Sequence, residues 1–204
     1  MRQSHSFRPV ATVCAALLLV AGCAGEGTAP ETVASLVVTP ASATVASRAP
    51  LPLTAAPRTS SGKTLSGRPV TWSSSDPAIA SVSGAGLVMA GAVLGGAPAL
   101  VTVSATSEGI VGHADLTVLP VPVATVAASP TTTTVPVGGS QQMTSGFLDA
   151  TGVVLSGRTV SWSSSDTAVA SVSPSGLVTA AAYAGGAMRS ATITASSEGR
   201  IGMA

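Results

Sequence analysis

Charge is nearly absent from this sequence: only 8% of its residues are Asp, Glu, Lys or Arg. Nine basic residues face eight acidic ones, and the basic ones form no cluster. A nucleic-acid partner is thereby excluded, because phosphate recognition needs a basic patch or stripe. Aromatics are rarer still at 2%: beyond Trp72 and Trp162, the chain after Phe7 offers only Phe147 and Tyr183. That is too few for a carbohydrate-stacking face. Of the two histidines only His113 lies beyond the N-terminal segment, so a hydrolytic triad lacks a general base at most positions. No stretch after residue 22 keeps a helical period over three turns, which argues against helices. Sparse charge does not mean disorder here, because 46% of the residues are hydrophobic.

Cysteine is scarce as well, and both copies lie near the start, at Cys14 and Cys23. Arg2, His5 and Arg8 make a short basic stretch, followed by an apolar run from Val10 to Ala21 interrupted only by Thr12. About a dozen residues are too few to span a bilayer core, which takes about 20, but they suit the apolar region of a secretory signal. The run closes on Val20-Ala21-Gly22-Cys23, which resembles the lipobox of bacterial lipoproteins. This resemblance implies cleavage after residue 22, acylation of Cys23 and a membrane held through lipid, with two or more chains giving stable anchoring. Ala24 after the cysteine, rather than an acidic residue, implies the outer membrane by analogy with Gram-negative lipoproteins. Residues 23–32 are small, polar and Pro-containing and read as a flexible tether. With residues 1–22 removed and Cys23 acylated, no thiol is left to form a disulfide.

What the chain does have is a repeat. Residues 33–114 return at 123–204, shifted by 90 without a gap, and about 37 of the 82 paired positions are identical. Val70-Thr-Trp-Ser-Ser-Ser-Asp76 comes back as Val160-Ser-Trp-Ser-Ser-Ser-Asp166, and Leu65-Ser-Gly-Arg68 as Leu155-Ser-Gly-Arg158. A period of this size is a whole domain duplicated, which divides the chain into 33–121 and 122–204. Pro120-Val-Pro122 is expected to stiffen the joint.

Each repeat reads as short strands. Val101, Val103 and Ala105 alternate with Thr102, Ser104 and Thr106, and Ala191, Ile193 and Ala195 alternate in the twin, the period of a half-buried antiparallel strand. Further strands are expected at 34–39, 51–56, 70–74, 79–83, 87–90 and 114–119. Gly86 and Gly176 suit turn positions with φ > 0, and Glu108-Gly109 and Glu198-Gly199 suit tight hairpins. Pro40 and Pro130 follow the first strand, as an edge or a sheet-switching kink tolerates. Seven or so strands per 90 residues without helices predict an all-β chain of two tandem immunoglobulin-like β-sandwiches. Trp72 and Trp162, with Val70, Val160, Val103 and Ile193, are the expected core.

The order valine-x-tryptophan, serine-rich turn with Asp76 or Asp166, Gly86-Leu-Val88 or Gly176-Leu-Val178, then Val101-Thr-Val-Ser-Ala-Thr106 or Thr192-Ile-Thr194, resembles the bacterial Ig-like domain group 2. Two local departures stand out. The loops 91–99 and 181–190, around Gly95-Gly96 and Gly185-Gly186, are longer than the brief turn usual there and read as variable, exposed tips. Repeat 1 also continues past Ala114 with Asp115-Leu-Thr-Val-Leu-Pro-Val121, a closing strand, whereas repeat 2 reaches its last residue at Ala204, the equivalent of Ala114. The second sandwich is therefore expected to lack most of its last strand, read first as a fragment whose chain continues beyond Ala204 and second as an edge open to strand addition.

No catalytic, cofactor or metal site is expected. Asp76 and Asp166 read as turn-stabilising carboxylates; Asp76 with Glu108 is the one pairing left open for calcium. Arg68 and Arg158 are expected to pair with a nearby carboxylate or to cover the sheet edge, and Thr131–134 reads as a solvated loop. The functional expectation is a non-catalytic, lipid-anchored, exported protein of the cell surface, with structural, adhesive or spacer modules. Its partners would be the membrane and an unidentified surface polysaccharide or protein. The alternative is the N-terminal accessory region of a larger secreted enzyme or carbohydrate-binding protein.

Overall fold

Period-two alternation of small β-branched residues sets the local structure, and the computed structural model describes residues 30–182 and 187–204. The expected signal segment, Cys23 with most of its tether, and Tyr183, Gly185 and Gly186 lie outside the described residues. Every regular element described is a strand. The first sandwich comprises β1 (Ser35–Thr39), β2 (Ser42–Ala46), β3 (Pro50–Pro52), β4 (Thr54–Arg58), β5 (Thr71–Ser74), β6 (Ala80–Val82), β7 (Leu87–Ala90), β8 (Ala99–Ser107) and β9 (Ile110–Leu119). The second comprises β10 (Thr125–Ser129), β11 (Ser140–Gln142), β12 (Thr144–Leu148), β13 (Val154–Leu155), β14 (Ser161–Ser164), β15 (Ala170–Val172), β16 (Leu177–Ala180), β17 (Ile193–Ser197) and β18 (Arg200–Met203). The chain is all-β.

In the first sandwich a four-stranded sheet in the order β2-β9-β8-β5 faces β3-β7-β6 and the pair β1-β4. All pairings are antiparallel except β2 with β9, which run parallel. Val101, Val103 and Ala105 on β8 and Ala114, Leu116 and Val118 on β9 turn inward and are buried against Leu36, Val38, Leu53 and Val88. Full burial of a Val or Leu side chain stabilises by about 1.5–3 kcal/mol, so the long β8–β9 ladder dominates this core.

Several strands differ from their expected form. The single strand expected at 51–56 is split at Leu53: β3 pairs with β7, while β4 pairs with β1. Leu53 is buried and donates its N–H to the Gly86 carbonyl at 2.9 Å. The strand expected at 114–119 begins at Ile110, because the Glu108-Gly109 turn lets β9 pair with β8 from its first residue. β2 was not foreseen. It follows Pro40, where the chain leaves β1 and crosses to the other sheet, and it finds its partner 73 residues away in a parallel ladder with no local signal.

β9 and β1 approach closely at Gly112, where an added Cβ would collide with the Leu36 carbonyl; Gly202 meets Val126 in the same way. At both positions only glycine lets the backbones approach so closely.

The second sandwich repeats the plan as far as its sequence allows. β18 pairs with β17 from Ser197↔Arg200 to Thr194↔Met203, and Ile193 and Ala204 exchange both backbone hydrogen bonds at 2.9 Å. The equivalents of Asp115–Leu119 would come after Ala204. Residues 132–136, the twin of β2, and 189–192, the twin of the start of β8, are irregular. Both stretches depend on that ladder for their strand form in the first repeat.

Candidate functional site

The Leu-Ser-Gly-Arg and Ser-Glu-Gly motifs meet at one end of each sandwich. Glu108 and Glu198 sit at φ 50° and 49°, each followed by a glycine in the left-handed region, as a two-residue hairpin turn requires. The turn aims the carboxylate back over the entry to its own sandwich. Glu108 accepts from the Val33 N–H at 3.1 Å and from Arg68 at 2.8 Å; Glu198 accepts from the Val123 N–H at 3.0 Å and from Arg158 at 2.8 Å. A three-part clamp of arginine, glutamate and entering N–H thus recurs in both copies.

In the second copy the clamp also holds the neighbouring sandwich. The side chains of Arg68 and Glu108 are each 31% exposed, whereas that of Arg158 is 2% exposed. Arg158 donates to the Val121 carbonyl at 2.5 Å and reaches the Leu94 carbonyl at 3.5 Å. Leu94 also accepts from the Ser156 N–H at 3.2 Å, and Val121 donates to the Val93 carbonyl at 2.9 Å. Gly96 lies so close to Gly157 that an added Cβ would strike its carbonyl. The loop 91–99, expected as an exposed tip, is therefore docked at the junction. Its backbone carbonyls are what the second sandwich grips.

A second cross-junction contact comes from Arg48, which adopts φ 65° between β2 and β3 and places its guanidinium 3.0 Å from Asp149. The Asp149 side chain is 1% exposed. It accepts from the Thr151 hydroxyl at 2.7 Å and from the Thr151 and Val153 N–H groups at 2.8 and 2.9 Å. These hydrogen bonds, the Thr151 hydroxyl first, hold its carboxyl well below the usual carboxylate range, against the opposing effect of burial; Arg48 adds to the lowering. The repeat equivalents of Arg48 and Asp149 are Gly138 and Thr59, so this ion pair belongs to the junction alone.

The other expected positions distribute as follows. Val103 and Ile193 are buried in their cores. Trp72, Trp162, Val70 and Val160 are half-buried and pack against those cores rather than within them, because β5 and β14 are edge strands. Each indole lies across the glycine turn that precedes β7 or β16: a Cβ at Gly86 would sit 2.9 Å from Trp72, and one at Gly176 3.1 Å from Trp162. Gly86, Gly176, Gly109 and Gly199 all have positive φ, at 80°, 82°, 82° and 75°. Asp76 accepts from the Ala78 N–H at 3.0 Å and Asp166 from the Ala168 N–H at 2.9 Å, as turn carboxylates do.

Asp76 and Glu108 do not share a site. Thr71 pairs with Thr106 and Ser74 with Val103, so the two acids lie beyond opposite ends of β5. His113 contacts the Ser104 hydroxyl at 3.0 Å on an exposed face. Among the described residues no group of three His, Cys, Asp or Glu side chains is placed to hold a metal ion. Among the described residues there is no helix long and apolar enough to cross a membrane.

The sequence profile of the bacterial Ig-like domain (group 2) matches residues 32–118 and again 122–199. The chain belongs to this family. No curated protein matches it. Among solved structures it is similar to surface layer protein SbsC, domains 1-6, at 22% identity and TM-score 0.39, over 85% of this chain and 28% of that one. Drosophila N-cadherin EC1-4 is similar at 15% identity and TM-score 0.45, over 83% and 48% of the two chains. Human protocadherin-24 EC1-2 is similar at 13% identity and TM-score 0.40, over 85% and 94%. This Ig-like chain thus spans about a quarter of the SbsC segment it matches.

Proposed function

We propose that the chain is a non-catalytic, lipid-anchored spacer of the cell envelope, held through acylated Cys23 and presenting its two sandwiches as one stiff unit. Group 2 Ig-like domains are structural modules of the adhesion or spacer kind. The observation that favours a spacer is the junction, where the buried side chains of Arg158 and Asp149 and the backbone hydrogen bond from Ser156 to Leu94 join the two copies. A flexible tether would need none of these, since a solvated linker leaves its carbonyls to water. The Pro120-Val-Pro122 link adds restricted φ angles on both sides of the anchored Val121.

Two measurements test this reading. Spin labels at Ser81→Cys and Ser171→Cys, in a Cys23→Ser background, should give one narrow distance distribution; a broad one refutes the stiff unit. The Cys23→Ser protein itself should move from the membrane to the soluble fraction. Unchanged fractionation refutes the lipid anchor.

A further inference from the structure

The parallel pairing of β2 with β9 joins a strand near the chain's entry into the first sandwich to the strand by which it leaves. Ser42 pairs with Asp115 at one end of the ladder and Ala46 with Leu119 at the other. Because the strands are parallel, the incoming chain meets the ladder at the Ser42 end and the outgoing chain departs at the Leu119 end. Tension along the chain, having drawn β1 from β4, therefore pulls the two strands past each other along their length. In that direction all five registered pairs resist together, whereas a pull on two matching ends opens them one after another.

The ladder is also fastened at both ends and from the core side. The Asp115 N–H donates to the Ala41 carbonyl at 3.0 Å, and the Ser47 hydroxyl donates to the Leu119 carbonyl at 2.6 Å. The Ser47 oxygen accepts in turn from the Val93 N–H at 3.0 Å, which ties the same end to the loop 91–99. Val45, Leu116 and Val118 turn inward and are buried, so water has little access to the core side of the ladder.

We infer that the first sandwich is a tension-bearing module, with the β2–β9 ladder as the clamp that must shear before the domain unfolds. The inference rests on the reading of the chain as a spacer anchored through Cys23, because a fixed anchor on one side is what puts the chain under tension when it is pulled from the other. Residues 23–32 carry the pull in, and residues 120–122 carry it on to the second sandwich. A contact that only stabilises the fold has no preferred direction of pull. The clamp has one.

The test pulls single molecules of residues 23–204 in two directions. Handles on the unacylated Cys23 thiol and on Pro122→Cys shear the ladder. Handles on Ala46→Cys and Pro122→Cys, in a Cys23→Ser background, peel it from the Leu119 end; both new positions are exposed. The second sandwich is present in both cases and carries no load in either. The shearing pull should unfold the first sandwich at a force at least about threefold higher, with a length gain of roughly 250 Å as residues 33–119 extend. Within the shearing pull, two proline variants separate the ladder from ring strain. The Ala41 carbonyl faces β9, so alternation turns the Ala43 N–H toward β9 and the Thr44 N–H toward the open side of β2. Ala43→Pro should lose at least about half of the force and Thr44→Pro less than about a fifth, since only the first removes a ladder donor. Equal forces in the two directions, or equal losses in the two proline variants, would overturn the clamp. A Cys23→Ser protein that stays on the membrane refutes the anchor and leaves these forces unchanged, so the two readings fail separately.

Discussion

Replacing Arg158 by methionine separates the junction from the clamp that both copies share. Methionine keeps the length and apolar stem but removes all five donors. Glu198 is 39% exposed and regains water when its partner leaves, so its desolvation cost is small. The Val121 carbonyl loses its 2.5 Å donor at a buried residue, and an unsatisfied buried acceptor costs about 1–3 kcal/mol. Loss of a charge-assisted bond from a nearly buried guanidinium brings the total to roughly 2–4 kcal/mol, below the 3–5 of a fully buried pair. Arg68→Met is the internal control. It breaks the same 2.8 Å pair at a half-exposed site, where such pairs contribute about 0–1 kcal/mol. Urea denaturation followed by tryptophan fluorescence reads both, since each sandwich carries one Trp beside its core. The expected result is a large shift in midpoint for Arg158→Met, with the single transition of wild type resolving into two, and a small shift for Arg68→Met. Equal losses in the two variants, or an Arg158→Met curve within about 0.5 kcal/mol of wild type, would refute the assignment of binding energy to the junction.

Two further outcomes follow from local geometry. Gly86→Ala should cost about 3 kcal/mol by the same urea assay, because its φ of 80° is strained for alanine and the new Cβ sits 2.6 Å from the Leu53 carbonyl. Gly109→Ala, at φ 82° but in open space, should cost only about 1 kcal/mol; equal costs would contradict the role given to close packing. Asp149 contributes stability as the carboxylate. Its folded value is depressed, so the contribution is full above the ordinary aspartate value of about 4 and is lost as pH falls below it. The melting-temperature gap between wild type and Asp149→Asn should therefore be constant from pH 7 to 5 and shrink progressively below about pH 4; a gap undiminished between pH 5 and pH 2 would show that the charge is not what stabilises.

Backbone sterics are local, and what they control was legible in the sequence. The glycines at 86, 176, 109 and 199 stand at positive φ because no other residue fits those turns cheaply, and the turn chemistry around them is visible in four or five residues. The inward alternation of Val101, Val103 and Ala105 was equally plain, since period two needs no partner to be read. The junction was not legible. Arg68 and Arg158 share the preceding Leu-Ser-Gly, yet at Arg158 the carbonyls of Val121 and Leu94 arrive from outside its own sandwich. A carbonyl has no sequence signature. Asp149 stood outside every repeated motif for a related reason: its twin is Thr59, so comparing the copies with each other hid it. β2 and Gly112 escaped because both depend on partners far along the chain, a parallel ladder in one case and the crossing of β1 in the other.

The clamp at Glu108 and Glu198 has a consequence for how such a chain is extended. Each sandwich fastens a backbone N–H just before its own first strand, at Val33 and at Val123, with its own hairpin carboxylate. Orientation is thus set jointly, by the hairpin carboxylate of the unit being entered and by the loop and arginine of the unit being left. A polymer built from these units inherits a fixed polarity. Duplication of one copy therefore lengthens the array without renegotiating the geometry of the joints already present.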